Sequence, residues 1–158
     1  MILTGVSLLV LAIDQTTKFL ILKSIPLGGS VTVVPGHLYF TYIQNPGTAF
    51  GFMSDMNALI RAPFFIAITV VAALFVYSYQ RSAPEGKFML PVALGSIWGG
   101  ALGNLVDRLL YGKVVDFIDV RYGDFRWYIF NAADSFITIG LIYLFLEFAR
   151  KNAQKKTA

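Results

Sequence analysis

The chain has 158 residues, of which 56% are hydrophobic and only 14% are charged, with a formal net charge of +4. A soluble domain averages roughly 25% charged residues, so this composition favours an integral membrane protein. Because the sequence has no cysteine and one histidine, it excludes disulfides and thiol nucleophiles and argues against a His-based triad or a metal site. The basic residues form no stripe, so we expect no nucleic-acid partner.

Four long apolar runs predict an all-α integral membrane fold, a four-transmembrane-helix bundle. Each run is close to the ~20 residues that a helix needs to cross the hydrocarbon core. The first could be a cleavable signal peptide, but no basic residue precedes it and Asp14 interrupts it, so we interpret it as a retained helix. We expect one membrane-embedded domain over residues 1–158. The predicted spans are residues 2–22, 62–79, 88–110 and 129–149.

The connections between the spans predict their orientation. A basic tail follows the last span, and the Arg81–Lys87 connection is also basic. The positive-inside rule therefore places both termini in the cytoplasm, and residues 23–60 and 111–128 form the outer loops. Strand-type residues on both sides of Pro35-Gly36 predict a small β hairpin or cradle on the outer surface. The tail residues are Arg150, Lys151, Lys155 and Lys156.

Small residues and polarity distinguish the spans from one another. In the third span, Gly95, Gly99 and Gly103 recur every four residues, a pattern that lets helices approach closely. The second span carries little polarity, and we expect it to face lipid along much of its length.

Ionisable residues lie inside or beside the spans, and the predicted topology places them at one depth in the membrane. A charge at the bilayer centre costs at least ~2.5 kcal/mol on insertion scales, so each needs a structural partner or a function. Asp14 and Lys18, four residues apart, could neutralise each other. Asp107 and Arg108 end the third span, and Arg108 could pair with a carboxylate or act in catalysis.

Asp116 and Asp134 are the candidates for an acid–base pair. Asp116 is bracketed by apolar residues in a short loop after the third span, and Asp134 lies five residues into the fourth, ~8 Å below the outer surface. Two carboxylates in a poorly hydrated site tend to share one proton, so one can deprotonate water while the other protonates the leaving nitrogen. The alternative is structural ion pairing of these carboxylates with Arg108, Lys113 or Arg121.

Several polar residues are candidates to support that pair. A stripe on the fourth helix comprises Asn131, Asp134, Ser135 and Thr138. Asn104 and Asp107, three residues apart, could bond to the catalytic region or to a substrate backbone. Asn45, in the turn Gln44–Phe50, could be a turn former or a ligand of the substrate backbone.

Five motifs in order along the chain give a specific resemblance. Together they resemble bacterial lipoprotein signal peptidase, the type II signal peptidase, across all four spans. The motifs are Asp14-x-x-x-Lys18, Asn45-Pro-Gly-Thr-Ala-Phe50, Gly103-Asn-Leu-Val-Asp-Arg108, Val114-Val-Asp-Phe117 and Phe130-Asn-Ala-Ala-Asp-Ser135.

The resemblance implies an aspartic endopeptidase of the bacterial cytoplasmic (inner) membrane, without cofactor or metal. Such an enzyme cleaves prolipoproteins before a diacylglyceryl-modified cysteine, near the outer face of the membrane, and is the target of the cyclic peptide globomycin. The resemblance implies Asp116 and Asp134 as the catalytic pair, and we expect a monomer because one chain supplies both. The residues that would bind substrate or support the site are Asp14, Asn45, Gly47, Asn104, Asp107, Arg108 and Asn131.

Three other functions are compatible with intramembrane acids. A small transporter or proton-conducting subunit predicts polar residues through the whole membrane depth, whereas here they crowd one side and the inner half is nearly bare. A structural subunit held by ion pairs would tolerate Asp-to-Asn changes. The third is another class of intramembrane aspartic protease. The Gly123-Asp124 dipeptide is a poor basis for that function, since it lies in an outer loop and not in a span.

Overall fold

The computed structural model of the chain describes residues 1–47, 58–81 and 88–157. Four helices in this part of the chain are long and apolar enough to cross a membrane, which confirms the predicted helix bundle. The elements in chain order are α1 (Ile2–Ser24), β1 (Ser30–Val34), β2 (Leu38–Asn45), α2 (Ala58–Arg81), α3 (Met89–Tyr111), β3 (Val114–Tyr122), β4 (Phe125–Arg126) and α4 (Ala132–Thr157).

The helix boundaries differ from the predicted ones chiefly in α4. This helix begins at Ala132 instead of residue 129, because Asn131 caps it, and it continues to Thr157 instead of 149. The basic tail extends the helix because Ala, Lys, Arg and Gln are good helix formers once the apolar stretch has ended. Parts of the predicted Gln44–Phe50 turn and of the Arg81–Lys87 connection lie outside the described residues.

Helix α3 is the central helix of the bundle, and its glycines set the distance to α1. A Cβ atom on Gly95 would lie 2.8 Å from the main-chain oxygen of Leu3, and one on Gly99 would lie 2.6 Å from that of Ser7. Gly103 lies directly against the carboxylate of Asp14. The predicted small-residue face is therefore confirmed, and it brings the polar side chains of α1 against α3.

The four strands form one antiparallel sheet in the order β1-β2-β3-β4 at one end of the bundle, here called the sheet end. The predicted hairpin is confirmed, since β1 pairs with β2 around a turn in which Gly36 has a φ of 78°. Within the predicted outer loop 111–128, Val114–Tyr122 forms β3, which pairs with β2 and places Ile43 opposite Asp116. The sheet packs on the end of α1 through Ile21, Ile25, Tyr42, Val115 and Phe117.

A buried carboxylate also ties the sheet together. Asp119 on β3 has no exposed surface and accepts hydrogen bonds from Thr41 on β2 and from Arg121 and Arg126. No local sequence pattern predicts this cluster, because Thr41 lies 78 residues from Asp119 in the chain.

The half of the bundle away from the sheet is less bare of polar side chains than predicted. Glu147 on α4 is only 8% exposed there. Ser7, Thr69 and Ser96 are also buried, and each hydroxyl donates a hydrogen bond to a main-chain oxygen four residues earlier in its own helix. Such hydroxyls need no partner outside the helix, so their burial costs little.

Candidate active site

A cavity of about 650 Å³ lies at the sheet end, between the sheet and helices α2, α3 and α4. Five of the residues predicted for the site line it, and aromatic and aliphatic side chains complete the walls. The five are Asn45, Gly47, Arg108, Asp116 and Asp134. The other lining residues are Phe65, Trp127, Tyr128, Ile129, Phe130, Ser135, Thr138 and Ile139.

Asp116 reaches this cavity from a strand whose neighbours hold its carboxylate. Its side chain is 2% exposed, and Oδ2 accepts a hydrogen bond from Asn45 Nδ2 at 2.8 Å. Asn45 lies at the end of β2, opposite Val114 in the ladder. Its Oδ1 accepts the N–H of Gly47 at 2.8 Å, which fixes the orientation of the amide. The turn after β2 therefore aims an N–H donor at Asp116.

Asp134 is held at the start of α4 by a reciprocal pair of hydrogen bonds with Asn131. The N–H of Asp134 donates to Asn131 Oδ1 at 3.0 Å, and the N–H of Asn131 donates to Asp134 Oδ2 at 3.3 Å. This is a capping-box arrangement, which satisfies N–H groups at the first turn. Asn131 therefore precedes the helix instead of lying on its predicted stripe, and Asp134 lies two residues after the first helical residue instead of five.

The amide of Asn131 also bonds to the other carboxylate. Its Nδ2 donates to Asp116 Oδ1 at 2.7 Å and lies 3.0 Å from Asn104 Oδ1. Asn104 in turn donates from Nδ2 to Asp134 Oδ1 at 2.8 Å. Asn104 and Asn131 are buried beneath the cavity, so the two amides connect and orient both carboxylates from below.

A buried lysine lies one layer deeper. Lys18 Nζ is 2.8 Å from Asp14 Oδ2 and 2.8 Å from Asp107 Oδ2, and it donates to Asn104 Oδ1 at 3.1 Å. The predicted Asp14–Lys18 ion pair is confirmed, whereas the ion pair with Asp107 and the contact with Asn104 were not predicted. Because Lys18 has only donors, it fixes Asn104 with Oδ1 towards the lysine and Nδ2 towards Asp134.

The two acids that bind Lys18 hold the elements that carry the candidate pair. Asp14 Oδ1 accepts the N–H of Ala133 at the start of α4, at 2.9 Å. Asp107 Oδ2 accepts the N–H of Val115 at the start of β3, also at 2.9 Å. The cavity lining does not include Asp14 or Asp107. Asp14 and Asp107 therefore lie behind Asp116 and Asp134 and fix the starts of α4 and β3, which carry those two residues.

Arg108 brings a positive charge to the cavity. Its guanidinium lies 4.0 Å from the centre of the Phe65 ring, and Nη1 donates to the main-chain oxygen of Asn104 at 3.1 Å. Arg121, which the sequence offered as an ion-pair partner for the candidate acids, pairs with Asp119 instead. The structure thus gives Asp116 neutral amide partners.

The environments of two carboxyls in the sheet shift their pKa values in opposite directions. Burial, and then the negative charge of Asp134, raise the pKa of Asp116 from 3.8 to about 7, against the lowering effect of its bonds to Asn45 and Asn131. Burial alone would also raise the pKa of Asp119, but its hydrogen bonds to two arginines outweigh burial and hold that pKa well below its usual range. Of the two carboxyls, the one with the raised pKa is therefore the one that lines the cavity.

No group of three or more His, Cys, Asp or Glu side chains that could hold a metal ion is found in residues 1–47, 58–81 and 88–157. The acids near the cavity are instead separated by amides and by Lys18.

Comparisons with known proteins agree with the motifs and with the fold. The family model for signal peptidase (SPase) II matches residues 6–150. The lipoprotein signal peptidase of Staphylococcus carnosus is 43% identical over 151 residues, 96% of this chain and 92% of the relative. That of Syntrophus aciditrophicus is 40% identical over 147 residues, 93% of this chain and 91% of the relative.

Two solved structures of bacterial membrane enzymes, both obtained by the in meso method, have the same fold. One matches with a TM-score of 0.84 and 33% identity, over 95% of this chain and 88% of its own. The other matches with a TM-score of 0.79 and 34% identity, over 90% of this chain and 89% of its own. Because the sequence match and the structural match both extend over most of the chain, this protein belongs to the signal peptidase II family of membrane peptidases.

Proposed function

We propose that this protein removes signal peptides from prolipoproteins, by cleaving before a diacylglyceryl-modified cysteine with a water molecule that Asp116 and Asp134 activate. One observation carries the proposal. Both carboxylates line one cavity, and a single amide side chain, that of Asn131, bonds to both residues. A merely structural acid pair would not need to share an amide directly beneath a cavity.

The mechanism follows from one proton shared between two acids. The ionised carboxylate takes a proton from water as its oxygen attacks the scissile carbonyl, and the protonated carboxyl donates a hydrogen bond to the carbonyl oxygen. Collapse of the tetrahedral intermediate breaks the C–N bond, and the carboxyl that took the proton from water passes it to the leaving nitrogen, which restores one ionised and one protonated acid. The raised pKa of Asp116 keeps one proton available near neutral pH.

The surrounding residues orient the pair and balance its charge. Asn45 and Asn131 hold the two oxygens of Asp116, and Asn104 holds Asp134. Each carboxylate oxygen keeps a second lone pair for water or for the shared proton. Arg108 would stabilise the negative charge that the pair carries before water attacks and that the tetrahedral oxygen carries afterwards. Preorganised groups of this kind need no rearrangement as charge moves during the reaction.

The position and walls of the cavity suit a lipid-modified substrate. Apolar side chains such as Phe65, Ile129 and Ile139 line it, and a signal helix with a diacylglyceryl group is itself apolar. Lipid anchoring would confine the substrate to the membrane plane and supply binding energy remote from the scissile bond. Globomycin would compete for the same cavity, with its hydroxyl between the two carboxylates.

The basic tail supports an orientation with both termini in the cytoplasm and the sheet end near the outer face of the bacterial cytoplasmic membrane. We further propose that residues 1–158 act as one peptidase domain and as a monomer, because both carboxylates come from one chain.

The test is a gel-shift cleavage assay in detergent with a diacylglyceryl-modified prolipoprotein and with its unmodified form. The wild type should cleave only the modified form, and Asp116→Asn and Asp134→Asn should each reduce cleavage at least 10³-fold, on the order expected when a general acid or base is lost. Asp124→Asn is the matched control, because Asp124 is an exposed carboxylate in the turn between β3 and β4.

Thermal unfolding in the same detergent would check that all three variants fold like the wild type. Full activity of either dyad variant would remove that aspartate from the chemistry. An inactive wild type, or equal cleavage of both substrates, would contradict the proposed substrate.

A further inference from the structure

A second cavity, of about 800 Å³, lies at the end of the bundle opposite the sheet. It opens between the start of α1, the last turns of α2 and the first half of α3, and we call it the far groove. It shares no lining residue with the cavity that contains Asp116 and Asp134. The residues used in the argument below are Leu3, Ala73, Val76, Tyr77, Arg81 and Trp98.

The walls of the far groove are apolar where they face the middle of the membrane. Leu3, Ala73 and Val76 contribute aliphatic surface, and the indole of Trp98 is half-buried in the wall. Helices α1, α2 and α3 border the groove without filling it, so in a bilayer its volume and apolar walls suit an acyl chain. Lipid tails are as apolar as these side chains and can occupy such a space without a desolvation cost.

The rim of the far groove is cationic. Arg81 is exposed at the last residue of α2, and its Nη1 donates to the hydroxyl of Tyr77 at 2.9 Å, while the guanidinium lies 5.4 Å from the ring centre. These two contacts hold the positive charge at the mouth of the groove. Two further cations on α4, Arg150 and Lys151, lie at this end of the bundle but do not line the groove. Lys151 Nζ is 5.9 Å from the centre of the Tyr79 ring on α2.

An arginine and a tyrosine at the end of a span lie at the level of the lipid headgroups. An arginine binds a phosphate through a planar fork of N–H donors, and basic pockets between transmembrane helices are known binding sites for anionic headgroups. A zwitterionic headgroup would present its phosphate together with a cation and would gain less from this rim.

We propose that the far groove binds an anionic phospholipid, with its phosphate against Arg81 and one acyl chain along Leu3, Ala73, Val76 and Trp98. The site is separate from the peptidase chemistry and does not depend on it. Its occupant would fill the gap between α1, α2 and α3 and so stabilise the packing of α2, which has few buried residues of its own.

The position of Trp98 in the wall provides the test. The sequence has two tryptophans, so Trp127→Phe leaves Trp98 as the only one. This full-length variant would be reconstituted into phosphatidylcholine vesicles that contain the same mole fraction of acyl-brominated phosphatidylglycerol or acyl-brominated phosphatidylcholine. Bromine quenches tryptophan fluorescence only at close contact, so the ratio of quenching reports which lipid occupies the groove.

We expect brominated phosphatidylglycerol to be enriched about fivefold over brominated phosphatidylcholine at Trp98, as expected for one headgroup-level cation. Arg81→Gln should abolish the preference. Arg150→Gln removes an exposed cation at the same end of the bundle but outside the groove, and it should leave the preference for phosphatidylglycerol unchanged. Ala73→Phe, which narrows the groove without changing charge, should reduce quenching by both lipids.

Equal quenching by the two lipids would overturn the proposal, because the groove would then hold whatever lipid is abundant. A loss of preference in Arg150→Gln equal to that in Arg81→Gln would also overturn it, because general surface charge would then be the cause. Unchanged quenching in Ala73→Phe would show that the acyl chain does not lie in the groove.

Discussion

Replacing Asp116 with asparagine should remove a pH dependence of stability that the wild type has. Burial and the charge of Asp134 raise the pKa of Asp116 from 3.8 to about 7. The unfolded chain loses this proton near pH 3.8, whereas the folded protein keeps it until about pH 7. Between these values the folded state binds more protons, so its stability falls as the pH rises.

The size of the effect follows from the shift. One pKa unit corresponds to about 1.4 kcal/mol, so the free energy of unfolding of the wild type should fall by up to about 4 kcal/mol across this window. Asp119 does not obscure the effect, because its pKa lies below the usual range and its contribution is lost only at lower pH. The two proteins are compared by the slope of the free energy of unfolding against pH, not by its absolute value. An asparagine at 116 would direct an amide N–H₂ at the donor group of Asn45 or Asn131 and so lower stability at every pH.

Denaturant unfolding in detergent, followed by tryptophan fluorescence from pH 4 to pH 8, would measure both slopes. The wild type should lose stability as the pH rises, and Asp116→Asn should lose much less. Asp124→Asn, in the exposed turn between β3 and β4, should keep the wild-type slope. The cleavage rate of the wild type at low substrate concentration should also fall above about pH 7, because the acid pair then loses its shared proton.

Identical slopes in the wild type and Asp116→Asn would refute the reasoning, because the proton would then reside elsewhere. A cleavage rate that keeps rising above pH 7 would refute the role of that proton in the reaction.

Two further substitutions test the buried ion pairs of Lys18 behind the site and the close packing of α1 on α3. Lys18→Met should destabilise the protein by about 3–5 kcal/mol in denaturant unfolding, because it leaves two buried carboxylates without their cation, and combination with Asp14→Asn should recover part of the loss. Failure of the double variant to recover stability would argue against an electrostatic cause. Gly99→Ala should lower stability by about 1–3 kcal/mol, because the new Cβ would lie 2.6 Å from the oxygen of Ser7. Gly5→Ala, where a Cβ meets nothing within 4 Å, is the matched control and should not lower the thermal unfolding temperature, because alanine is the better helix former.

Local patterns in the sequence were enough to predict the membrane fold and several contacts. The length and apolarity of four runs predicted four helices, because a helix that crosses a membrane must satisfy its main chain internally and face lipid with apolar side chains. The four-residue spacing of Gly95, Gly99 and Gly103 predicted close helix packing, and the same spacing predicted the Asp14–Lys18 pair. The hairpin was equally readable, since both strands and the turn lie within one short segment.

The tertiary structure decided which of these residues meet. The sequence predicts a loop where Val114–Tyr122 forms a strand, because the partner strand β2 lies far away in sequence and only the folded chain pairs them. The same distance hid the contacts of Lys18 with Asp107 and of Asn131 with Asp116. Residue type and spacing can place a charge at a depth in the membrane, but they do not determine its partner. A buried ion or amide bonds to whatever groups the packing of α1, α3, β3 and α4 brings within about 3 Å, and that choice exists only in the assembled fold.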